Sequence, residues 1–205
     1  MKTKSCFASV PLLILLGGLT PPAGFGGTIL QDVGSGDAQI AFYDPIGQSF
    51  VADDVQLSTI AFAFSDMNPG NPNSPITMSL YAGTGVGGTL LDSVTQTLPF
   101  VLPGTGAPLQ FIDFNFSGNG LILGATYTAV VTTTSPKVGV AYNVNDVYAG
   151  GQVFESYAAG EPFHDEAGYD LAFRVVTVPE PGLAVLGALG GLALLIRRRR
   201  SGDQF

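Results

Sequence analysis

The chain has 205 residues, of which 46% are hydrophobic and 12% are charged, and its formal net charge is −8. This length suffices for one domain with a hydrophobic core of its own. Eight basic residues against 16 acidic ones argue against nucleic acid as a partner, because phosphate backbones are bound by lysine and arginine.

The N-terminus has the pattern of a secretory signal peptide. Lys2 and Lys4 form a basic region, and the apolar segment Val10–Leu19 follows it. Small residues come next, so we expect cleavage between Ala23 and Gly27. Residues 1–27 are therefore the predicted signal peptide, which implies the Sec export machinery and signal peptidase as partners.

Residues 28–178 are the predicted body of the exported protein. They contain fourteen Asp and Glu residues but only Lys137 and Arg174 as basic residues, giving a charge of about −12. Cys6 is the only cysteine and precedes the apolar segment, so it leaves with the signal peptide. The body must therefore be held together by its hydrophobic core without disulfides.

The body predicts an all-β fold, because short runs of alternating or continuous apolar residues recur between Gly- and Pro-rich turns. In the clearest run, Leu109–Phe116, the side chains of Ile112, Phe114 and Phe116 fall on one face. Regular short strands of this kind favour an antiparallel β-sandwich of jelly-roll type. The predicted strands are Ile29–Val33, Gln39–Tyr43, Gln48–Ala52, Leu57–Phe64, Ile76–Tyr81, Thr89–Leu98, Leu109–Phe116, Tyr127–Thr133, Val138–Tyr142, Gln152–Tyr157 and Leu171–Val178.

Three segments of the body resemble the sandwich domains called choice-of-anchor, which pair with various surface-anchoring tags. They read IGQSFVADDVQLSTIAFAFS, ITMSLYAGTGVGGTLLDS and GLILGATYTAVV, and they lie within Ile46–Val131. The matching residues are structural ones. The resemblance therefore implies a fold and no reaction.

Adjacent oxygen-bearing side chains raise the hypothesis of a calcium site. Calcium takes six to eight oxygen ligands from carboxylates, amides and carbonyls. Asp53 and Asp54 lie beside a predicted strand, and Asn143, Asn145 and Asp146 form an oxygen-rich turn. Neither segment has the full spacing of a calcium-binding loop, so no cofactor is required by the sequence.

The chain has one histidine, His164, within the acidic segment Glu161–Glu166. A single histidine excludes a histidine-rich zinc site. The segment reads as a polar loop before the last strand. The alternative is a pair of catalytic carboxylates for glycoside hydrolysis among Glu155, Glu161 and Glu166, although their spacing does not fix the separation that this chemistry needs.

The C-terminus contains three ordered features. Pro179, Glu180 and Pro181 come first, and an apolar run of fifteen residues, 182–196, follows. As a helix the run would span about 22 Å, short of a bilayer core of about 30 Å. A basic cluster directly after it nevertheless marks the cytoplasmic end of a membrane segment. That cluster consists of Arg197, Arg198, Arg199 and Arg200.

This ordered triplet resembles the PEP-CTERM sorting signal, the C-terminal tag of exosortase substrates. The resemblance implies a membrane helix, a processing motif formed by Pro179, Glu180 and Pro181, and cleavage by an exosortase-like protease. It also implies a transient stay in the inner membrane of a Gram-negative bacterium. The protein would then move to the cell surface or to an exopolysaccharide (biofilm) matrix. Residues 179–205 are therefore the predicted sorting tag.

Two classes of function follow from these features. The first is a non-enzymatic surface or matrix protein that binds glycan weakly, and the alternative is a secreted polysaccharide hydrolase using carboxylates near Glu155–Glu166. A binding module is expected to present Tyr148, Tyr157 and Tyr169 on one face. A hydrolase is expected to have a cleft with two close carboxylates.

Overall fold

The computed structural model describes residues 26–67, 74–98, 101–155, 164–166 and 168–178. All of them belong to one unit, Gly24–Gly182. Residues 1–25 of the predicted signal peptide and the whole predicted sorting tag, residues 179–205, lie outside the described residues. Within the described ranges, no helix has the length and apolar character needed to span a membrane.

The described residues form an all-β structure with one short 3₁₀ helix, Ile40–Phe42. The strands are short because Gly- and Pro-rich turns interrupt the apolar runs. In chain order they are β1 Thr28–Gln31, β2 Gly36–Gln39, β3 Ile46–Val51, β4 Leu57–Asp66, β5 Pro75–Ala82, β6 Leu90–Thr97, β7 Phe111–Asn115, β8 Thr126–Thr132, β9 Val138–Asn143, β10 Val153–Glu155, β11 His164–Glu166, β12 Asp170–Leu171 and β13 Phe173–Thr177.

The strands make two sheets in which every pairing is antiparallel. The first sheet has the order β1-β13-β4-β9-β12, with β2 paired to β9 and β7 paired to β4. The second sheet has the order β11-β10-β3-β8-β5-β6. The all-β prediction is therefore confirmed.

The inner faces of the two sheets share one hydrophobic core. Phe62 and Phe173 of the first sheet belong to the same buried cluster as Phe50 and Met78 of the second sheet. Burying each such side chain stabilises the fold by about 1.5–3 kcal/mol. The face predicted from the alternation in β7 is also correct, since Phe114 and Phe116 are fully buried and Ile112 packs against the core. The architecture is therefore sandwich-like.

Three predicted elements differ from the structure. The predicted strand Gln39–Tyr43 is wrong, because the strand ends at Gln39 and a 3₁₀ turn follows, in which the Tyr43 N–H donates to the carbonyls of Gln39 and Ile40. The predicted loop around His164 is also wrong at 164–166, which form β11 and pair with β10. The last predicted strand is two strands, because β12 pairs with β9 whereas β13 pairs with β4 and β1.

The outer face of the first sheet is covered by a smaller apolar cluster. Leu109 and Phe111 pack there against three buried alanines. The Arg174 guanidinium lies 5.5 Å from the centre of the Phe111 ring and donates to both carboxylate oxygens of Asp113, at 2.9 and 3.0 Å. One of the two basic residues of the body is thus engaged on this outer face.

Candidate functional site

A cleft of about 280 Å³ lies between strands of the two sheets. Its polar wall consists of three tyrosines, Tyr43, Tyr142 and Tyr169, and two acids, Asp37 and Glu155. Aliphatic side chains of β2, β3, β10 and β12 complete the lining. We call this feature the tyrosine cleft. Because ligand sites are usually concave and carry a few converging polar groups, it is the candidate functional site.

Strand pairing brings two of the tyrosines together. Tyr142 on β9 lies opposite Leu171 of β12 on one side and opposite Gly36 of β2 on the other. Tyr169 directly precedes β12, and its ring stacks on that of Tyr142 with centroids 6.0 Å apart and planes at 20°. A Cβ atom on Gly36 would lie only 3.0 Å from the Tyr142 hydroxyl, so glycine leaves the space that the ring occupies. The two rings form a stacked aromatic pair at the cleft.

The two carboxylates of the cleft come from different sheets. Asp37 lies on β2, and its Oδ2 atom accepts a hydrogen bond from the Gly106 N–H at 3.2 Å. Glu155 lies on β10, where it is opposite Ile46 of β3 and opposite His164 of β11. The sequence analysis named Glu155 as a candidate but did not identify Asp37. Nothing in the local sequence distinguishes Asp37 from the other acids of the body.

A buried polar pair ties the sheets together next to the cleft. The Gln48 side chain on β3 donates to the Asp170 carboxylate on β12 at 2.9 Å and accepts from the Leu171 N–H at 2.8 Å. The other Asp170 oxygen accepts from the N–H groups of Val147 and Tyr148, at 2.9 and 2.8 Å. Burial raises the pKa of Asp170 above its ordinary value, and these hydrogen bonds offset part of that effect. The pair fixes the position of β12 and hence of Tyr169.

The three tyrosines expected on one binding face are not together in the cleft. Tyr169 lines it, but Tyr148 packs edge-on against Phe173 at 5.1 Å, and its hydroxyl accepts from the Val51 N–H at 3.2 Å. Burial raises the pKa of the Tyr148 hydroxyl, which agrees with this structural role. Tyr157 lies outside the described residues. Tyr43 and Tyr142, which the sequence analysis did not select, are the other tyrosines of the cleft.

The structure describes some, but not all, of the carboxylates suggested for hydrolysis. Glu155 lines the tyrosine cleft, and β11 brings the backbone of His164, Asp165 and Glu166 alongside β10. Glu161 lies outside the described residues. Of the proposed set, Glu155 is therefore the residue that the structure places in a cleft.

The two suggested calcium segments occupy different surroundings. Asp53 is exposed, and its Oδ1 atom lies 3.3 Å from the Thr177 hydroxyl. Asp54 is only 6% exposed, its Oδ1 accepts from the Val55 N–H at 2.6 Å, and its Oδ2 is buried without a hydrogen-bond partner in the described part of the chain. A buried carboxylate oxygen of this kind is expected to need a donor or a cation.

In the second calcium segment the Asn143 side chain is already hydrogen-bonded. Its Oδ1 atom accepts from the backbone N–H of Asn145 at 2.8 Å and from the side-chain amide of Asn145 at 3.1 Å. Asp146 is exposed in the same turn. Across the described ranges, no group of three or more His, Cys, Asp or Glu side chains is arranged to hold a metal ion.

Of the two segments, the one with Asp54 is the expected calcium site, because its buried Oδ2 has no hydrogen-bond partner among the described residues. We predict that millimolar Ca²⁺ raises the melting temperature more than Mg²⁺ does at equal ionic strength. Bound at 100 times its Kd, Ca²⁺ would add about 2.7 kcal/mol to the free energy of unfolding. The double substitution Asp53→Asn/Asp54→Asn should remove the difference. The matched change Asn145→Ala/Asp146→Ala should leave it intact. Equal shifts with Ca²⁺, Mg²⁺ and sodium chloride would show ionic screening alone.

Comparison with known proteins identifies no family for this chain. No protein-family model matches the sequence, and no curated protein matches it. The chain is similar to a solved structure of the cysteine protease and lectin-like domains of Cwp84, a surface layer associated protein of Clostridium difficile, with 13% identity and a TM-score of 0.41. The match covers 65% of this chain and 32% of that chain. The chain therefore spans about a third of that protein's length, and a likeness this weak carries no argument.

Proposed function

We propose that the chain is an exported, non-enzymatic surface or matrix protein that binds glycan through the tyrosine cleft. The observation that carries the proposal is the stacked pair of Tyr142 and Tyr169 in the lining of a cleft that also holds two carboxylates. Tyrosine rings offer apolar faces for the C–H side of a sugar, and their hydroxyls and nearby carboxylates can bond its hydroxyl groups. A cleft of 280 Å³ is small among ligand pockets, which suits one sugar unit at a chain end or branch.

The proposal includes the route to the cell surface. Export rests on the basic and apolar N-terminus, and sorting by an exosortase-like protease rests on Pro179, Glu180 and Pro181 with the arginine cluster 197–200. The sandwich is further proposed to be of jelly-roll type and related to the choice-of-anchor domains. In support of this, neighbouring strands such as β3 and β8 are far apart in the chain, so the connections cross between sheets.

Titration of the purified chain with neutral and charged oligosaccharides tests the binding proposal. We expect binding in the micromolar to millimolar range, and we expect Tyr169→Ala to weaken it about tenfold, because it removes one of the aromatic rings that line the cleft. The matched control is Tyr81→Ala on β5, a partly buried tyrosine that does not line the cleft. Equal losses in both variants, or no binding of any oligosaccharide, would contradict the proposal.

One observation favours the hydrolase alternative. Asp37 and Glu155 line the same cleft, and a pair of carboxylates flanking a bound sugar is the arrangement that glycoside hydrolysis uses. Incubating the chain with polysaccharides and measuring new reducing ends separates the two candidates. Hydrolysis would be established if the chain produced new reducing ends and the Glu155→Gln variant did not. Binding without release would support the non-enzymatic proposal.

A further inference from the structure

Gly27, the residue before β1, is bonded to the end of β13. The Gly27 N–H donates to the Thr177 hydroxyl at 2.8 Å, and the Thr177 N–H donates to the Gly27 carbonyl at 3.1 Å. Gly26, one residue earlier, is exposed. Both backbone polar groups of Gly27 are therefore held by the last residue of the strand that leads to the proposed sorting tag.

The carboxylate of Asp53 lies against the same residue. Its Oδ2 atom would be only 2.2 Å from a Cβ atom on Gly27, so a larger residue at this position would collide with it. Its Oδ1 atom lies 3.3 Å from the Thr177 hydroxyl. Because the Gly27 nitrogen is attached to the same Cα atom, it lies within about 5 Å of the carboxylate. In the described part of the chain, no lysine or arginine forms a salt bridge with Asp53.

The bond that precedes Gly27 also has the pattern of a signal peptidase site. Such sites have small residues one and three positions before the cleaved bond. The Gly26–Gly27 bond meets this requirement, because Gly26 and Gly24 occupy those two positions. Cleavage after Ala23 or Gly24 would place a proline at the earlier position, and cleavage after Gly27 would place Phe25 there.

We propose that signal peptidase cleaves the Gly26–Gly27 bond and that the new ammonium group of Gly27 forms an ion pair with Asp53, beside the Thr177 hydroxyl. The hydrolysis consumes one water molecule. The C–N bond breaks, the signal peptide leaves with a carboxylate on Gly26, and the Gly27 nitrogen becomes a protonated amine. This inference rests on the proposed export and is independent of glycan binding.

The ion pair would distinguish the mature protein from its precursor. Before cleavage, an uncharged amide occupies the position beside Asp53. After cleavage, an ammonium group at the same nitrogen can keep the hydrogen bond to the Thr177 hydroxyl and adds a charge opposite to that of the carboxylate. Removal of the signal peptide would therefore strengthen the attachment of the N-terminus to the end of β13.

The first test identifies the N-terminal residue of the exported protein. The full chain is expressed in a Gram-negative host and purified in mild detergent, and its intact mass and N-terminal sequence are measured. We expect the chain to begin at Gly27. Gly26→Leu should stop cleavage at this bond, because the residue before the bond must be small. The matched control, Phe25→Leu, changes the position between the two small residues and should leave the cleavage site unchanged.

Thermal unfolding of the purified mature chain tests the ion pair. A second chain carries the dipeptide Ser-Thr inserted between Gly26 and Gly27, which keeps the small residues before the cleaved bond and moves the ammonium group two residues away from Asp53. In the native chain, Asp53→Asn is expected to lower the melting temperature by about 2 °C at low salt. In the chain with the insertion, the same substitution should have no effect. The difference between the two shifts measures the coupling of the ammonium group to Asp53.

The outcomes separate this inference from the proposed export. A mature chain that begins at a residue other than Gly27 would overturn the inference and leave export standing, whereas a chain that still begins at Met1 would overturn the predicted signal peptide as well. Equal effects of Asp53→Asn in the two chains, including no effect in either, would refute the ion pair. The control is Asp32→Asn, which removes the same charge from another exposed acid and should shift both melting temperatures equally.

Discussion

Asp170→Ala is expected to lower the free energy of unfolding by about 3 kcal/mol, because it leaves buried donors without an acceptor. The Asp170 carboxylate accepts from the Gln48 side chain and from the N–H groups of Val147 and Tyr148. Since domains of this kind have a total stability of about 5–15 kcal/mol, the loss is a large share of it. Urea unfolding followed by circular dichroism measures the effect.

The control for this substitution is Asp146→Ala. Asp146 is an exposed acid in the turn that the Asp170 carboxylate holds, and its removal takes away the same charge. We expect a change of about 0.5 kcal/mol or less. Similar losses in the two variants would show that the buried hydrogen bonds of Asp170 do not carry the stability assigned to them.

The pH dependence of the unfolding free energy is a second test of the role of Asp170. Burial raises the folded-state pKa of Asp170 above its ordinary value of 3.8. Its contribution to stability is therefore greatest below the unfolded-state pKa and is lost as the pH rises through the higher folded-state pKa. The difference in unfolding free energy between the native chain and Asp170→Asn should narrow as the pH rises from the unfolded-state pKa through the higher folded-state pKa. A difference that widens over this interval would contradict the assignment.

Glu180→Ala is expected to block processing without blocking export. In the PEP-CTERM resemblance, Glu180 and its flanking prolines form the cleavage motif, whereas export is proposed to depend on the signal peptide, residues 1–27. The variant should accumulate uncleaved in the inner membrane, and fractionation with immunoblotting would show a larger species there. The control is Asp203→Ala, which removes an acid beyond the arginine cluster. Release of the Glu180→Ala variant at native size would refute the sorting proposal.

The sequence predicted the positions of the strands better than the pairing of those strands within the sheets. Alternation placed Phe114 and Phe116 on the core face because period two is a local property of a strand. The break between β12 and β13 was missed, because Leu171, Ala172 and Phe173 are all buried and read as one apolar run. Whether β12 or β13 pairs with β9 or with β4 depends on contacts between residues that are far apart in the chain.

The tyrosine cleft was missed for the same reason. Tyr142 and Tyr169 meet only because β9 pairs with β12, and Asp37 joins them only because β2 pairs with β9. Asp170 gave no local signal either, since an acid near a strand usually lies on the surface. The proposed sorting tag is the opposite case: it is a contiguous motif, so the sequence alone predicts it, and it lies outside the described residues.

The place of β13 within the first sheet has a mechanical consequence for a protein held at its C-terminal side. β13 ends at Thr177 and is bonded along one edge to β1 and along the other to β4. The Thr177 N–H also donates to the Gly27 carbonyl at 3.1 Å. A pull along this strand would load the hydrogen bonds of both edges in shear at the same time. In a surface protein attached through its C-terminal side, drag from flowing liquid would therefore load β13 before it reached the tyrosine cleft.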